Sequence, residues 1–236
     1  MEDDSDKLNH IIEETKEYYR QRAQQYADWT RWTGAYDGQG TEPDHTFYAE
    51  GRILMDALEK SRLAGDVLEV ACGTGIWTEA LVRSADSVTA LDSSLEMLER
   101  CKARLRGNAK VRFVQADFYE WVPDRVYDVV TFSFWISHVP VSKLDEFVSK
   151  VSQCLKPKGR MFFVDQLESG RRNETLESPD GEVATRTLDD GRKFRIYKHF
   201  YKLDEIKRCF ARNGIGTRIS VTPTHFFIAS GKKNDD

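Results

Sequence analysis

The chain has 236 residues, 40% of them hydrophobic and 31% charged, the make-up of a globular protein with one domain and an appended cap. Its formal net charge is −4 and its pI near 5.8, which gives no electrostatic footprint for a phosphate backbone, so nucleic acid is not the expected partner. The opening MEDDSD is acidic where a signal peptide is basic and then apolar, and no apolar run reaches the ~18 residues of a membrane span. A cytoplasmic protein without a membrane partner is expected. Cys72, Cys101, Cys154 and Cys209 form no C-x-x-C pair, so they read as reduced, packed thiols with no metal among them.

In chain order, residues 7–32 are rich in helix formers. Leu8, Ile11, Ile12 and Tyr19 share a helical stripe that Tyr26, Trp29 and Trp32 continue, predicting one or two amphipathic helices. Gly34, Gly38, Gly40 and Pro43 break the pattern into a loop, and a second helix follows over residues 45–61. From residue 66 short apolar runs alternate with helical stretches. Strands are predicted at 67–71, 87–91, 111–115, 127–132 and 160–164, and helices at 76–84, 95–105 and 143–155, the last ending before Pro157 and Gly159. This rhythm predicts a doubly wound parallel sheet with helices on both faces. Residues 166–193 are polar and contain Arg171, Arg172, Pro179, Gly181 and an Asp190–Gly191 turn, so they read as an inserted loop or hairpin. Residues 194–200 are strand-like and 203–213 helical, capped by Gly214. Strands at 215–222 and 225–230 then close a hairpin about Pro223, placing an antiparallel strand at the sheet edge.

The strongest local signal is residues 67–78, an apolar strand running into a glycine turn and a helix. Gly73 and Gly75 let the backbone turn tightly and approach a ligand, and the helix start offers free N–H groups to a carboxylate. In a doubly wound sheet the ligand crevice lies at the carboxyl ends of the strands, where this turn sits. Dinucleotide enzymes carry G-x-G-x-x-G. Here the third glycine position holds Thr78, after bulky Ile76 and Trp77, which disfavours a pyrophosphate seat. Strand two ends at Leu91-Asp92, where a carboxylate can accept from both ribose hydroxyls of either type of cofactor.

Glu69-Val70-Ala71-Cys72-Gly73-Thr74-Gly75 resembles motif I of the class I, Rossmann-like S-adenosylmethionine-dependent methyltransferases, acidic-x-(Gly/Ala)-x-Gly-x-Gly. The chain looks like the small-molecule branch of that superfamily over residues 63–231. The resemblance implies an α/β fold: a doubly wound, mostly parallel seven-stranded sheet with an antiparallel edge strand, plus an N-terminal helical lid. It implies S-adenosylmethionine as cofactor and S-adenosylhomocysteine as its product. Cofactor contacts are implied for Glu69, Ala71, Gly73, Thr74, Gly75 and Asp92, and for Ser93 and Met97 flanking the adenosine. Asp117 is implied to accept from the adenine amino group, with Phe118 packed on the ring and Ser133 at the end of strand four. The stretch from Tyr18 to Tyr26 looks like the lid of small-molecule members. Its Tyr19 and Tyr26 either close over the cofactor or form an aromatic face that packs.

In this family the loop after strand four borders the transferred methyl group, and here it reads Ser133-Phe134-Trp135-Ile136-Ser137-His138-Val139-Pro140. It lacks the Asn/Asp-Pro-Pro-Tyr of enzymes that methylate adenine or glutamine nitrogens. His138 is the candidate acid–base group, because imidazole can take a proton from a hydroxyl as the methyl arrives; the alternative is a loop histidine that orients backbone. Trp32, Trp77 and Trp135 wall an acceptor pocket or belong to the core, and Asp165 at the end of strand five points into the crevice. Residues 1–62 are the lid, 63–165 the cofactor-binding core, 166–200 the substrate-side insertion, and 201–236 a closing helix and hairpin. The expected function is methyl transfer to a small molecule by a monomer or homodimer, with O-methylation favoured over N or C. A NAD-dependent oxidoreductase, a catalytically silent methyltransferase-like binding subunit and an RNA methyltransferase are the alternatives. Retention on heparin at low salt separates the last.

Overall fold

The computed structural model describes residues 4–23, 45–170, 175–177 and 182–235. Its elements run α1 (Asp4–Arg22), α2 (His45–Ser61), β1 (Asp66–Val70), α3 (Ile76–Leu81), β2 (Ser87–Asp92), α4 (Leu95–Leu105), β3 (Val111–Gln115) and β4 (Tyr127–Ser133). They continue with α5 (Leu144–Cys154), β5 (Leu155–Gln166), β6 (Thr175–Leu176), β7 (Val183–Thr187), β8 (Lys193–Tyr197), α6 (Leu203–Arg212), β9 (Ile215–Val221) and β10 (Phe226–Lys233).

Seven strands form one sheet in the order β3-β2-β1-β4-β5-β10-β9. The first five are parallel, and β10 runs antiparallel between β5 and β9. Alternation along the strands divides the core into two layers. Leu68, Val70, Val130, Phe132, Met161 and Phe163 face α5 and α6, which bury Phe147, Val148, Val151, Ile206 and Phe210 against them. Rings of Phe132, Phe163 and Phe210 stack in sequence, with centroids 4.5 and 5.3 Å apart. The intervening Val67, Val129, Phe162 and Val164 face α2 and α3. Strand β4 is buried on both faces, as a central strand with helices on either side must be.

Helix α4 has the bounds its pattern predicts, because both ends are determined locally. Ser94 Oγ accepts from Met97 N at 3.1 Å, a serine N-cap. The chain leaves through Arg106 and Gly107, both left-handed. Met97, Leu98, Cys101 and Leu105 make its buried face. Strand β5 begins earlier than its pattern predicts. Leu155 directly follows α5 and pairs with Tyr127, and a register shift carries the ladder past Pro157 and Gly159. All four cysteines are free and buried. Among the described residues no helix is long and apolar enough to cross a membrane.

The polar insertion, read as a loop or hairpin, contains a hairpin and one further short strand. Strands β6, β7 and β8 form a separate antiparallel sheet, with a left-handed Gly191 in the turn between β7 and β8. Its strands read as polar because only one face has a cover, and that cover is α1. Tyr18 is buried among Ala184, Leu188 and Ile196. Glu14 accepts from Arg195 N at 2.6 Å and Arg195 Nε at 3.1 Å, and Thr15 Oγ1 accepts from Tyr197 N at 2.9 Å. Tyr18→Ala removes the ring that fills this second core, an interaction worth about 3 kcal/mol. The variant is expected to be cut within residues 4–23 at least about tenfold faster in limited proteolysis, while the melting of the seven-stranded core barely moves. An equal loss of stability throughout would contradict a separately docked α1.

Candidate functional site

A cavity of about 350 Å³ opens at the carboxyl ends of β1 to β4, where the chain reverses its order on the sheet. Its floor is the turn after β1. Ala71 (φ 54°), Gly73 (φ 54°) and Gly75 (φ 82°) are all left-handed, a conformation that glycine adopts without strain. The two glycines do different work. A Cβ on Gly73 would meet nothing within 4 Å, so its bare face lies open on the cavity wall. A Cβ on Gly75 would sit 2.6 Å from Cys101 Sγ, so its absence lets α4 press against the turn.

Asp92 ties this turn to the end of β2. Its Oδ2 accepts from Gly73 N at 2.8 Å and its Oδ1 from Ser94 N at 2.9 Å. Burial pushes its carboxyl up to about 6, against the pull of the Ser94, Gly73 and Ser93 amides. Beyond β3, Asp117 Oδ1 accepts from Tyr119 N at 2.8 Å, and Oδ2 lies 2.9 Å from Lys16 Nζ on α1. Phe118 beside it is 2% exposed and lines the cavity. Three buried polar atoms on lining residues, Thr74 Oγ1, Tyr119 Oη and Trp135 Nε1, have no hydrogen-bond partner among the described residues. Each costs about 1–3 kcal/mol until something bonds to it. Two carboxylates at successive strand ends, an open glycine face and orphaned polar atoms fit S-adenosylmethionine, whose ribose, adenine amino group and amino-acid end require such partners.

The other end of the cavity surrounds His138, on a single helical turn after β4. Its Nδ1 lies 2.6 Å from the Tyr197 carbonyl oxygen and its Nε2 2.8 Å from Tyr19 Oη. Burial, reinforced by the charges of Lys198 and Arg186, holds the imidazole well below its ordinary pKa, so it is neutral at physiological pH. The turn is braced from beneath. Asp165 Oδ2 accepts from Ser137 N at 3.0 Å, and Lys198 Nζ donates to Ser137 Oγ at 2.8 Å, 3.9 Å from Asp165 Oδ1. Phe134 at the mouth of β4 has φ 55°, a strained conformation for a bulky side chain in the wall of a site.

Of the residues singled out from the sequence, Ala71, Gly73, Thr74, Asp92, Ser93, Met97, Asp117, Phe118, Ser133, Tyr19, Trp77, Trp135 and His138 line this cavity. Glu69, Gly75 and Asp165 do not. Glu69 faces away from it and accepts from Thr78 Oγ1 at 2.5 Å, with burial pushing its carboxyl well above the usual range; it braces the turn from behind. Asp165 is fully buried beneath the His138 turn. Tyr26 and Trp32 lie outside the described residues. The sequence reading missed Lys16, Tyr119 and Tyr197. Lys16 had a signal, since Ile12, Lys16 and Tyr19 share one helical face turned to the cavity while Tyr18 faces the small sheet. Tyr197 had none, because its peptide rather than its ring makes the contact.

A model of the methyltransferase domain family matches residues 67–159. The solved DhpI–SAH complex is 31% identical, with a TM-score of 0.75, over 96% of this chain and 98% of that one. The DhpI–SAM–HEP complex is 34% identical, with a TM-score of 0.77, over 94% and 97%. An uncharacterized methyltransferase of Geobacillus kaustophilus is 26% identical over 190 residues, 78% of this chain and 85% of that protein. The ubiquinone biosynthesis O-methyltransferase of Salmonella paratyphi A is 35% identical over 108 residues, 44% of each protein.

Replacing Asp92 by Ala removes the acceptor for Gly73 N and, if Asp92 holds the ribose as the resemblance implies, the acceptor for its hydroxyls. Affinity for S-adenosylhomocysteine is expected to fall at least about 30-fold in calorimetric titration. Only an ionised carboxylate can accept from both ribose hydroxyls, so if Asp92 holds them affinity is expected to be full well above pH 6 and lost as pH falls through it. At pH 5 it is expected to be about tenfold weaker than at pH 7. A flat profile between pH 5 and 7 would show that Asp92 does not hold the ribose.

Proposed function

The chain belongs to the class I S-adenosylmethionine-dependent methyltransferases, and from that premise we propose that it transfers a methyl group to an oxygen of a small-molecule acceptor. The carrying observation is the neutral imidazole of His138, hydrogen-bonded through Nε2 to a phenol at the end of the cavity away from Asp92 and Asp117. A group able to take up a proton matters where the nucleophile must lose one, as a hydroxyl does, and contributes about 10²–10⁴-fold. The match to the ubiquinone biosynthesis O-methyltransferases supports the same acceptor atom, and the loop after β4 lacks the Asn/Asp-Pro-Pro-Tyr of amino-methylating enzymes.

S-adenosylmethionine supplies the methyl group already activated on a sulfonium. The residues of this chain then have three tasks. The glycine turn, Asp92 and Asp117 hold the nucleoside; Trp77, Phe134 and Trp135 wall the reacting end and exclude water; His138 receives the proton. Holding nucleophile and methyl in line is the largest contribution, on the order of 7–11 kcal/mol. The acceptor is a small molecule rather than nucleic acid, given the net charge of −4, and the enzyme works as a monomer or homodimer.

The test begins with calorimetric titration against S-adenosylhomocysteine, with NAD in parallel. The protein is then incubated with S-adenosylmethionine and a panel of phenols, hydroxy acids and amines. Micromolar binding of S-adenosylhomocysteine alone is expected, with a methyl gain on oxygen in the products. Methyl found only on nitrogen or carbon would contradict the acceptor assignment.

A further inference from the structure

We propose that Tyr19, on the N-terminal helix, is the residue that touches the methyl acceptor, and that His138 is a positioning residue that holds the proton through it. The proposal rests on the O-methylation reading and deepens it. A carbonyl oxygen only accepts hydrogen bonds, so the 2.6 Å contact with Tyr197 requires the proton of His138 on Nδ1. In a neutral ring that leaves Nε2 as a bare acceptor, and in the 2.8 Å contact with Tyr19 the phenol therefore donates. Both ring nitrogens of His138 are thus engaged inside the protein. With its hydrogen committed to His138, the phenol oxygen of Tyr19 can meet a ligand only as an acceptor, and Tyr19 lines the cavity.

The position of Tyr19 is determined from outside the cofactor core. One residue, Tyr197 of β8, binds both partners through its peptide: its N–H donates to Thr15 Oγ1 on α1 at 2.9 Å, and its carbonyl accepts from His138. Tyr18, the preceding residue on the helix, is locked against the small sheet. The phenol–imidazole pair, 119 residues apart in the chain, is assembled in this way by the lid and the insertion together.

In the transfer the acceptor oxygen bonds to the methyl carbon as the bond from that carbon to sulfur breaks, and the electron pair stays on sulfur. The hydroxyl proton passes to Tyr19 Oη as the Tyr19 proton passes to His138 Nε2. Sulfur loses one positive charge and the imidazole gains one, so the net charge of the site is unchanged. A ring kept neutral between Lys198 and Arg186 can accept the proton under that condition. The imidazolium releases its proton to water as products leave.

The proposal is tested with protein carrying ¹⁵N-labelled histidine, in which long-range ¹H–¹⁵N correlation spectra identify His138 by its loss in His138→Gln. At pH 7 the unaltered protein is expected to show a protonated Nδ1 and an unprotonated Nε2, and Tyr19→Phe to shift Nε2 alone. With the acceptor found in the panel, Tyr19→Phe and His138→Gln are each expected to lower kcat about 100-fold and the double variant no further. S-adenosylhomocysteine affinity should stay within about threefold. A proton on Nε2 in the unaltered protein, or full turnover by Tyr19→Phe, overturns the proposal. Methyl found on nitrogen would sink the O-methylation reading instead, while the same variants and spectra still decide the role of Tyr19.

Discussion

The His138 end of the cavity depends on the backbone of Tyr197. Its N–H holds α1, its carbonyl sets the tautomer of His138, and its hydroxyl accepts from Val141 N at 3.0 Å. Remove that strand and the Asp92 end survives, because the glycine turn, Asp92 and Asp117 stand at the ends of β1, β2 and β3 or just beyond them. The His138 end would not. The molecule therefore has two construction principles: one end of the cavity is dictated by the doubly wound sheet, and the other is assembled from an N-terminal helix and an inserted sheet. Only the first is a property of the fold, which is why fold alone does not name the acceptor.

The two ends of the cavity communicate through α1. One face of the helix is committed to β8 through Glu14, Thr15 and Tyr18. The adjoining face places Lys16 on Asp117 and Tyr19 on His138. Within one turn of helix, Lys16 makes an ion pair and Tyr19 a hydrogen bond with residues from two different strand ends of the cavity. The Lys16–Asp117 pair is partly exposed and worth little as a stabilising contact. Its consequence is geometric, since it aligns the helix over the cavity wall. Anything that displaces α1 disturbs Asp117 and Tyr19 together.

Much of this was legible in the sequence where local rules and burial agree. Helix α4 was legible end to end because Ser94 caps it and its apolar residues keep one period. The glycine turn was legible because backbone geometry limits which residues can stand at Gly73 and Gly75. The small sheet was legible only in part: the Asp190–Gly191 turn and the strand-like run after it mark β8 and a hairpin, but β6 and β7 are hidden because strands covered on one face by a single helix carry polar residues along most of their length. Glu69, implied as a cofactor contact, and Asp165, expected to point into the crevice, turn away from the cavity for a related reason. A carboxylate at the end of a strand can point into the crevice or beneath it, and its partners, Thr78 in one case and Ser137 in the other, decide. The Tyr19–His138 contact was out of reach, since nothing in a linear pattern relates a lid helix to a turn so distant along the chain.

The central claim is that core, lid helix and inserted sheet form one ligand site. Hydrogen–deuterium exchange with and without saturating S-adenosylhomocysteine tests it most directly. The account predicts slower exchange at residues 71–78, 92–97 and 116–120, and also along α1 and β8, because ligand in the cavity bears on both walls. Protection confined to the first three segments, with α1 and β8 exchanging as fast as before, would contradict it and leave the lid helix and the small sheet outside the site.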